Sequence, residues 1–214
     1  EQGHDVLFVE TGNFLGTHLM QLLRGPGRRS MARRLFTGEQ VAPRVTVRKA
    51  LKILPWGQRY RISGLVNARA SGWLVARVAR RLRSPRVTWL YDPTATWAIG
   101  RTGDSFAVYD CVDAYQEQAS GDRNRRIVAD GDLRAARMSR LVFTTSGPLY
   151  ERHSQANPRT HLVRNVGDFD HFAPGVDRNL APSDLRRLAR PVIGFAGNFL
   201  PGKVDLDLVD GLAA

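Results

Sequence analysis

The chain has 214 residues, 43% of them hydrophobic, which suffices for a buried core and excludes general disorder. Its single cysteine, Cys111, excludes an intrachain disulfide framework or thiolate metal cluster and fits a reducing compartment. No apolar run reaches the length of a membrane span. The formal net charge is +12, and it is unevenly placed: residues 1–103 hold 18 basic and 5 acidic residues, residues 104–214 hold 14 and 15. Only Lys49, Lys52 and Lys203 are lysines, so the excess is arginine. An arginine-rich half suits either an anionic partner (a membrane surface, a phosphorylated lipid, a nucleotide, a nucleic acid) or a solvated basic surface.

In chain order, the first predicted strand is Asp5–Glu10, which runs into "TGNFLGTHLMQLL". That stretch looks like a dinucleotide loop, but it offers only Gly12 and Gly16 of the three spaced glycines such a loop uses. The acidic residue expected about 20 positions on is replaced by "RGPGRRSMARR". No tyrosine is followed four residues later by lysine either, so a short-chain dehydrogenase is not indicated. Residues 24–44, rich in Gly, Pro and Arg, read as a loop with one short helix. Further strands are expected at Val45–Val47, Arg86–Tyr91, Phe106–Asp110, Leu141–Thr145, His161–Arg164 and Val192–Ala196. Most are continuous apolar runs, as suits strands buried on both faces of a parallel sheet.

Helices are expected over Leu65–Arg83, with Leu74, Val78 and Leu82 on one stripe, and over Asp122–Arg140. This βα alternation predicts an α/β fold with a Rossmann-like, doubly wound parallel sheet. The segment 172–190, with Pro174 and Pro182, is the best linker, separating an N-terminal domain over 1–171 from the start of a second Rossmann-like domain over 191–214.

Three Asp-x-Asp pairs occur, Asp130/Asp132, Asp168/Asp170 and Asp205/Asp207. Three hits in one chain mark the pattern as unspecific, and solvated or capping roles are expected for them. The five histidines lack metal spacing, so no metal site is expected. The carboxyl ends of the strands are more informative, because ligands sit there in open α/β sheets. Asp92, Asp110, Asp113, Ser146 and Asn165 all end or follow predicted strands, where each could line a cleft or cap the next helix. Beyond the linker, "GFAGNFLPGK" sets Gly194, Gly197 and Gly202 around a turn before Lys203, a pattern suited to a nucleotide diphosphate.

Taken together, "GHDVLFVE", "VTWLYDPTATWAIG", "FAVYDCVDAY", "ADGDLRAARMSRLVFTTSGPLYE", "HLVRNVGDFDHFAP" and "RPVIGFAGNFLPGKVDLDLVDGLA" resemble a bacterial GT-B glycosyltransferase of the family 1/family 4 type. The resemblance spans nearly the whole chain and is weakest over 24–85. It implies two Rossmann-like domains facing a cleft, sugar transfer from a nucleotide-sugar, and no metal or other cofactor. Gly197, Asn198 and Lys203 match the donor-binding loop, with Asn198 where the family commonly has arginine. Asp113 matches the catalytic carboxylate, with Val112 where a histidine is frequent, and Asp92, Ser146 and Asn165 become acceptor or cleft residues.

The implied partners are a nucleotide-sugar donor, a cell-envelope polysaccharide or lipid-linked acceptor and an anionic membrane surface, with a cytoplasmic location peripheral to the inner membrane face. No nucleic acid is expected. The chain begins with Glu1, the family's first strand would lie upstream, and its Glu-x7-Glu region would lie beyond residue 214. A fragment inactive by itself is therefore expected. Two alternatives stay open: a basic nucleic-acid-binding module, and a sugar-nucleotide epimerase sharing the GT-B fold.

Overall fold

A computed structural model describes residues 3–10, 39–55, 57, 60–173, 181–189, 191–195, 197 and 204–213. The chain divides into two compact units, residues 1–164 and 165–214. The loop-like stretch "TGNFLGTHLMQLL" lies outside the described residues.

In the first unit the described strands form two sheets. In the smaller, β1 (Val6–Glu10) runs parallel to β3 (Val45–Lys49), and β2 (Glu39–Ala42) pairs antiparallel on the other side of β3. β2 corrects the expected loop over this stretch. All four of its residues are exposed, so no apolar alternation marks it, and only backbone pairing to β3 makes it a strand.

The larger sheet contains β4 (Val87–Leu90), β5 (Phe106–Cys111), β6 (Leu141–Thr144) and β7 (Thr160–Leu162), in that order and all parallel. The molecule is thus α/β with a four-stranded parallel sheet, as the apolar runs predict, and the arrangement is compatible with a Rossmann-like fold. The expected burial on both faces is not met, because Val87, Trp89 and His161 on the face away from the core are exposed.

One face of this sheet carries the core. Leu90, Tyr109, Cys111 and Val142 point to that side and pack with Ala135, Ala136 and Leu149 from helices α3 (Asp122–Met138) and α4 (Gly147–Ser154). The opposite face bears a row of rings, Trp89 stacked 5.7 Å from Phe143 and Phe143 6.0 Å from His161. Period-2 alternation along parallel strands dictates both rows.

Helix α1 (Arg61–Ala79) begins four residues before its predicted start and ends four residues before its predicted end. Its inner face holds the segment that follows β3. The Asn67 amide donates to the Leu54 carbonyl and accepts from the Ile53 and Leu54 N–H groups, while the Ser71 hydroxyl donates to the Leu51 carbonyl.

A 3-10 segment, Pro93–Ala98, follows β4, and α3 packs directly upon it. Gly131 permits that approach: a Cβ there would lie 2.8 Å from the Pro93 carbonyl oxygen, closer than real contacts allow. Because the clash is with backbone, Gly131→Ala should destabilise the unit by about 1–3 kcal/mol despite alanine's higher helix propensity. A urea midpoint no lower than that of the wild type would show that the two elements can separate at little cost.

The far end of α3 is closed by Asn157, whose side-chain amide donates to the carbonyls of Ala136 and Ser139 at 2.8 Å each. These bonds satisfy acceptors that a helix C-terminus leaves open.

In the second unit the described helices are short: α5 (Phe169–Phe172), α6 (Ser183–Arg186) and α7 (Leu206–Ala213). The strand expected at Val192–Ala196 does not form over the described residues 191–195, which are irregular and exposed. A strand exists only with a partner to pair, and no strand partner for it occurs among the described residues of this unit. Asp168 and Asp205 are N-terminal caps as anticipated, accepting from the His171 and Leu208 N–H groups.

Candidate functional site

Because β4, β5, β6 and β7 are parallel, their carboxyl ends share one edge. Asp92 follows β4, Asp110 lies near the end of β5 and Asp113 follows β5, so three carboxylates belong to that edge. Tyr115, in the short helix α2 (Tyr115–Gln118), has its phenol pushed up to about 12, first by burial and then by electrostatic repulsion from Asp113, Cys111, Asp92 and Asp110. Asp92, Asp110 and Asp113, all selected from the sequence, thus each act electrostatically on one phenol.

Their commitments differ. Asp92 caps the 3-10 segment, accepting from the Thr94 N–H at 2.8 Å and the Thr94 hydroxyl at 2.7 Å. Asp110 accepts from the Trp89 indole N–H at 3.2 Å. Asp113 is exposed, and its carboxylate has no hydrogen-bond partner among the described residues. Its backbone is nevertheless held. The Thr145 hydroxyl donates to the Val112 carbonyl at 2.8 Å, and the Cys111 thiol lies 3.5 Å from the Asp113 carbonyl oxygen.

Ser146 follows Thr145 and occupies the N-cap position of α4, but its side chain makes no capping bond. Asn165 is exposed and opens the second unit, so it belongs to a different body from the aspartates. Gly197 is exposed, and a Cβ there would meet the Phe195 ring at 3.0 Å. Asn198 and Lys203 lie outside the described residues. Beside the Asp113 loop, an open depression of about 440 Å³ is lined by Gln116, Glu117, Arg125, Arg126 and Ala129.

Behind this edge lies a cluster that motif reading passes over. Asp132, expected on a solvated surface, is buried, because on α3 it shares the inward face with Val128, Ala135 and Ala136. Its Oδ1 accepts from the Tyr109 hydroxyl at 2.6 Å and from His153 Nε2 at 2.9 Å, and its Oδ2 faces Arg152 at 3.3 Å. The Cys111 thiol lies 3.8 Å from Oδ1. His153 Nδ1 is 2.8 Å from the Leu149 carbonyl, an acceptor only, so Nδ1 carries a proton. With the Asp132 carboxylate accepting at Nε2, both ring nitrogens donate and His153 is an imidazolium.

The electrostatics agree with this assignment. Burial alone would depress His153, yet the bonds and charge of Asp132, with contributions from Cys111 and the Leu149 carbonyl, raise it to about 10. Burial likewise opposes ionisation of Asp132, and donation from His153 and Tyr109 with the charge of Arg152 outweighs it, leaving the carboxyl below its usual range. Burial first, then the charges of Cys111 and Asp132, push the Tyr109 phenol far up.

Cys111, Asp132 and His153 have ligand atoms within 4.8 Å of one another, a set that could in principle hold a cation. As assembled, both imidazole nitrogens are spent on acceptors, so the protonated ring has no lone pair to give a metal. The same trio resembles a nucleophile–base–orienter arrangement, but Cys111 and His153 are both 0% exposed and no substrate reaches them. The cluster's role is to tie α3, α4 and β5 together directly behind the carboxylate edge.

No known protein family, curated protein or solved structure matches this chain.

Proposed function

We propose that the chain is the acceptor-side portion of a GT-B glycosyltransferase. It moves a sugar from a nucleotide-sugar to a cell-envelope polysaccharide or lipid-linked acceptor at the inner face of the cell membrane. The observation that supports this reading best is the placement of Asp92, Asp110 and Asp113 at the carboxyl ends of the parallel strands β4 and β5, the edge at which open α/β folds hold their ligands. Asp113 alone has an exposed, uncommitted carboxylate on a loop fixed from both sides.

In this reading Asp113 accepts the proton of the acceptor hydroxyl as its oxygen attacks the anomeric carbon and the nucleoside diphosphate departs. Asp92 and Asp110, already bonded to Thr94 and Trp89, shape the cleft wall. The guanidinium groups of Arg125 and Arg126 in the neighbouring depression suit a phosphorylated acceptor. Gly197, Asn198 and Lys203, which the resemblance matches to the donor-binding loop, are assigned to the donor diphosphate.

The test uses the intact protein, including the donor-side sequence that the resemblance places beyond residue 214. Sugar transfer and donor loss are followed by mass spectrometry over a panel of nucleotide-sugars. Asp113→Asn should lower kcat about a hundredfold while leaving donor affinity nearly unchanged. An unchanged kcat removes Asp113 from the chemistry. Failure of every nucleotide-sugar to bind overturns the class, and donor isomerisation without an acceptor would favour an epimerase.

A further inference from the structure

Helix α1 is apolar on two sides, and among the described residues only one of them is packed against other elements. Successive residues turn by about 100°, so Asn67, Ser71, Leu74 and Val75 fall together on the inner side, where all are buried. Ile62, Leu65, Val66 and Trp73 fall on the outer side, and all four are exposed, Ile62 to 75% and Trp73 to 60%. Arg69, Arg77 and Arg80 lie on that same outer arc and are exposed as well. An ordinary surface helix would carry mixed charges there.

The surroundings share this bias. Between Glu39 and Asp92 the sequence holds twelve lysines and arginines and no aspartate or glutamate. The first turn of α1 accordingly has no acidic residue, although the helix dipole favours one there. Among the described residues, nothing packed against the helix accounts for the exposed aliphatics or the missing acids.

We propose that the outer face of α1 docks on an anionic lipid bilayer. Trp73 and Ile62 sink into the headgroup boundary, and Arg69, Arg77 and Arg80 pair with lipid phosphates. The chemistry selects this partner in two ways. Tryptophan and arginine both combine an apolar body with a polar tip, which suits an interface with one wet side. The aliphatic side chains gain from leaving water but offer nothing to a nucleic acid, whose single strands need stacked aromatics and whose duplexes need base-edge or phosphate donors. Trp73 is the one aromatic ring on the stripe, and the Arg77 guanidinium already lies 5.9 Å from its centre. Because the inner face fixes the helix, docking carries no cost of folding it.

The inference is independent of the sugar chemistry, since vesicle binding requires no donor or acceptor. The full chain is sedimented with vesicles of phosphatidylcholine alone and with vesicles containing about one-third phosphatidylglycerol. Binding is expected only to the anionic vesicles. It should weaken steeply between about 0.05 and 0.5 M salt, and the tryptophan emission should move to the blue.

Arg69→Gln with Arg77→Gln should weaken binding about fivefold for each arginine removed. Ile62→Ser with Trp73→Ala should weaken it about tenfold or more and abolish the emission shift. All four side chains are exposed, so unfolding midpoints should hold, and the wild-type lipid and salt titrations stand even where a variant folds poorly. Equal binding to both vesicle types overturns the proposal, as does binding that the Ile62 and Trp73 changes leave intact. Retention of a single-stranded or duplex oligonucleotide, reduced by the arginine variants alone, overturns it in favour of a nucleic-acid surface.

Discussion

Asp132→Ala should lower the unfolding free energy by about 3–5 kcal/mol, read as a fall in the urea midpoint with the transition slope unchanged. The reason lies in what the substitution leaves behind. His153 is wholly buried and protonated, with one nitrogen committed to the Leu149 carbonyl and the other to Asp132. Removing the carboxylate strands a buried cation and a buried phenol hydroxyl, and it leaves Arg152 without its close acceptor.

Asp132→Asn is a sharper version of the test. It preserves volume and can still accept from Tyr109, but it cannot balance the imidazolium. A loss near that of alanine therefore assigns the effect to charge rather than to packing. Tyr109→Phe removes one hydrogen bond to a charged group and should cost about 1.5–3 kcal/mol. If Asp132→Ala left stability unchanged, the ion-paired description of this cluster would be wrong.

The same cluster sets a pH dependence with a defined sign. His153 ionises near 6.5 when unfolded and near 10 when folded, so between those values the folded state binds more protons. Its contribution is complete below about pH 6.5 and is lost as pH rises through about 10. The raised Tyr109 acts in the same direction further into the alkaline range. Asp132 acts at the other end: its depressed folded value gives stability above the ordinary carboxyl range, lost as pH falls through the folded value.

Urea midpoints should therefore be highest in the mildly acidic to neutral range and fall steadily from about pH 7 to 10. In Asp132→Asn that alkaline decline should flatten, because the imidazolium no longer has its partner. A wild-type midpoint that stays level across this interval would show that His153 is neutral in the folded protein.

Much of the fold is legible in the chain because the parallel sheet is buried on its core side. Phe106–Cys111 is a mostly apolar run whose Ala107, Tyr109 and Cys111 are buried, and helix α3 shows its inward face by spacing. The carboxylate edge is legible for a related reason, since residues that follow parallel strands share one rim whatever the order of those strands. Asp92, Asp110 and Asp113 could therefore be selected before any packing was known.

β2 was not legible, because a fully exposed strand leaves no hydrophobic trace and exists only through its partner. The Asp132 cluster was masked differently. As half of Asp130/Asp132 it belongs to a pattern that solvated surfaces repeat, and Asp130 is indeed exposed. Its place on the Val128, Ala135 and Ala136 face was the available signal, since a carboxylate on an apolar face demands a buried partner.

By itself the sequence determined the α/β alternation, the parallel sheet, the rim of aspartates and the concentration of arginine in the first half. Each follows from local composition or period, and a chain carries these regardless of how it packs. Only the tertiary structure decided which charges are buried and which apolar residues are left outside. Tyr109, Asp132 and His153 meet from three separate elements, and Ile62 and Trp73 are exposed because the opposite face of the same helix is already filled. Burial depends on what stands opposite a side chain, and that is fixed by contacts distant in sequence.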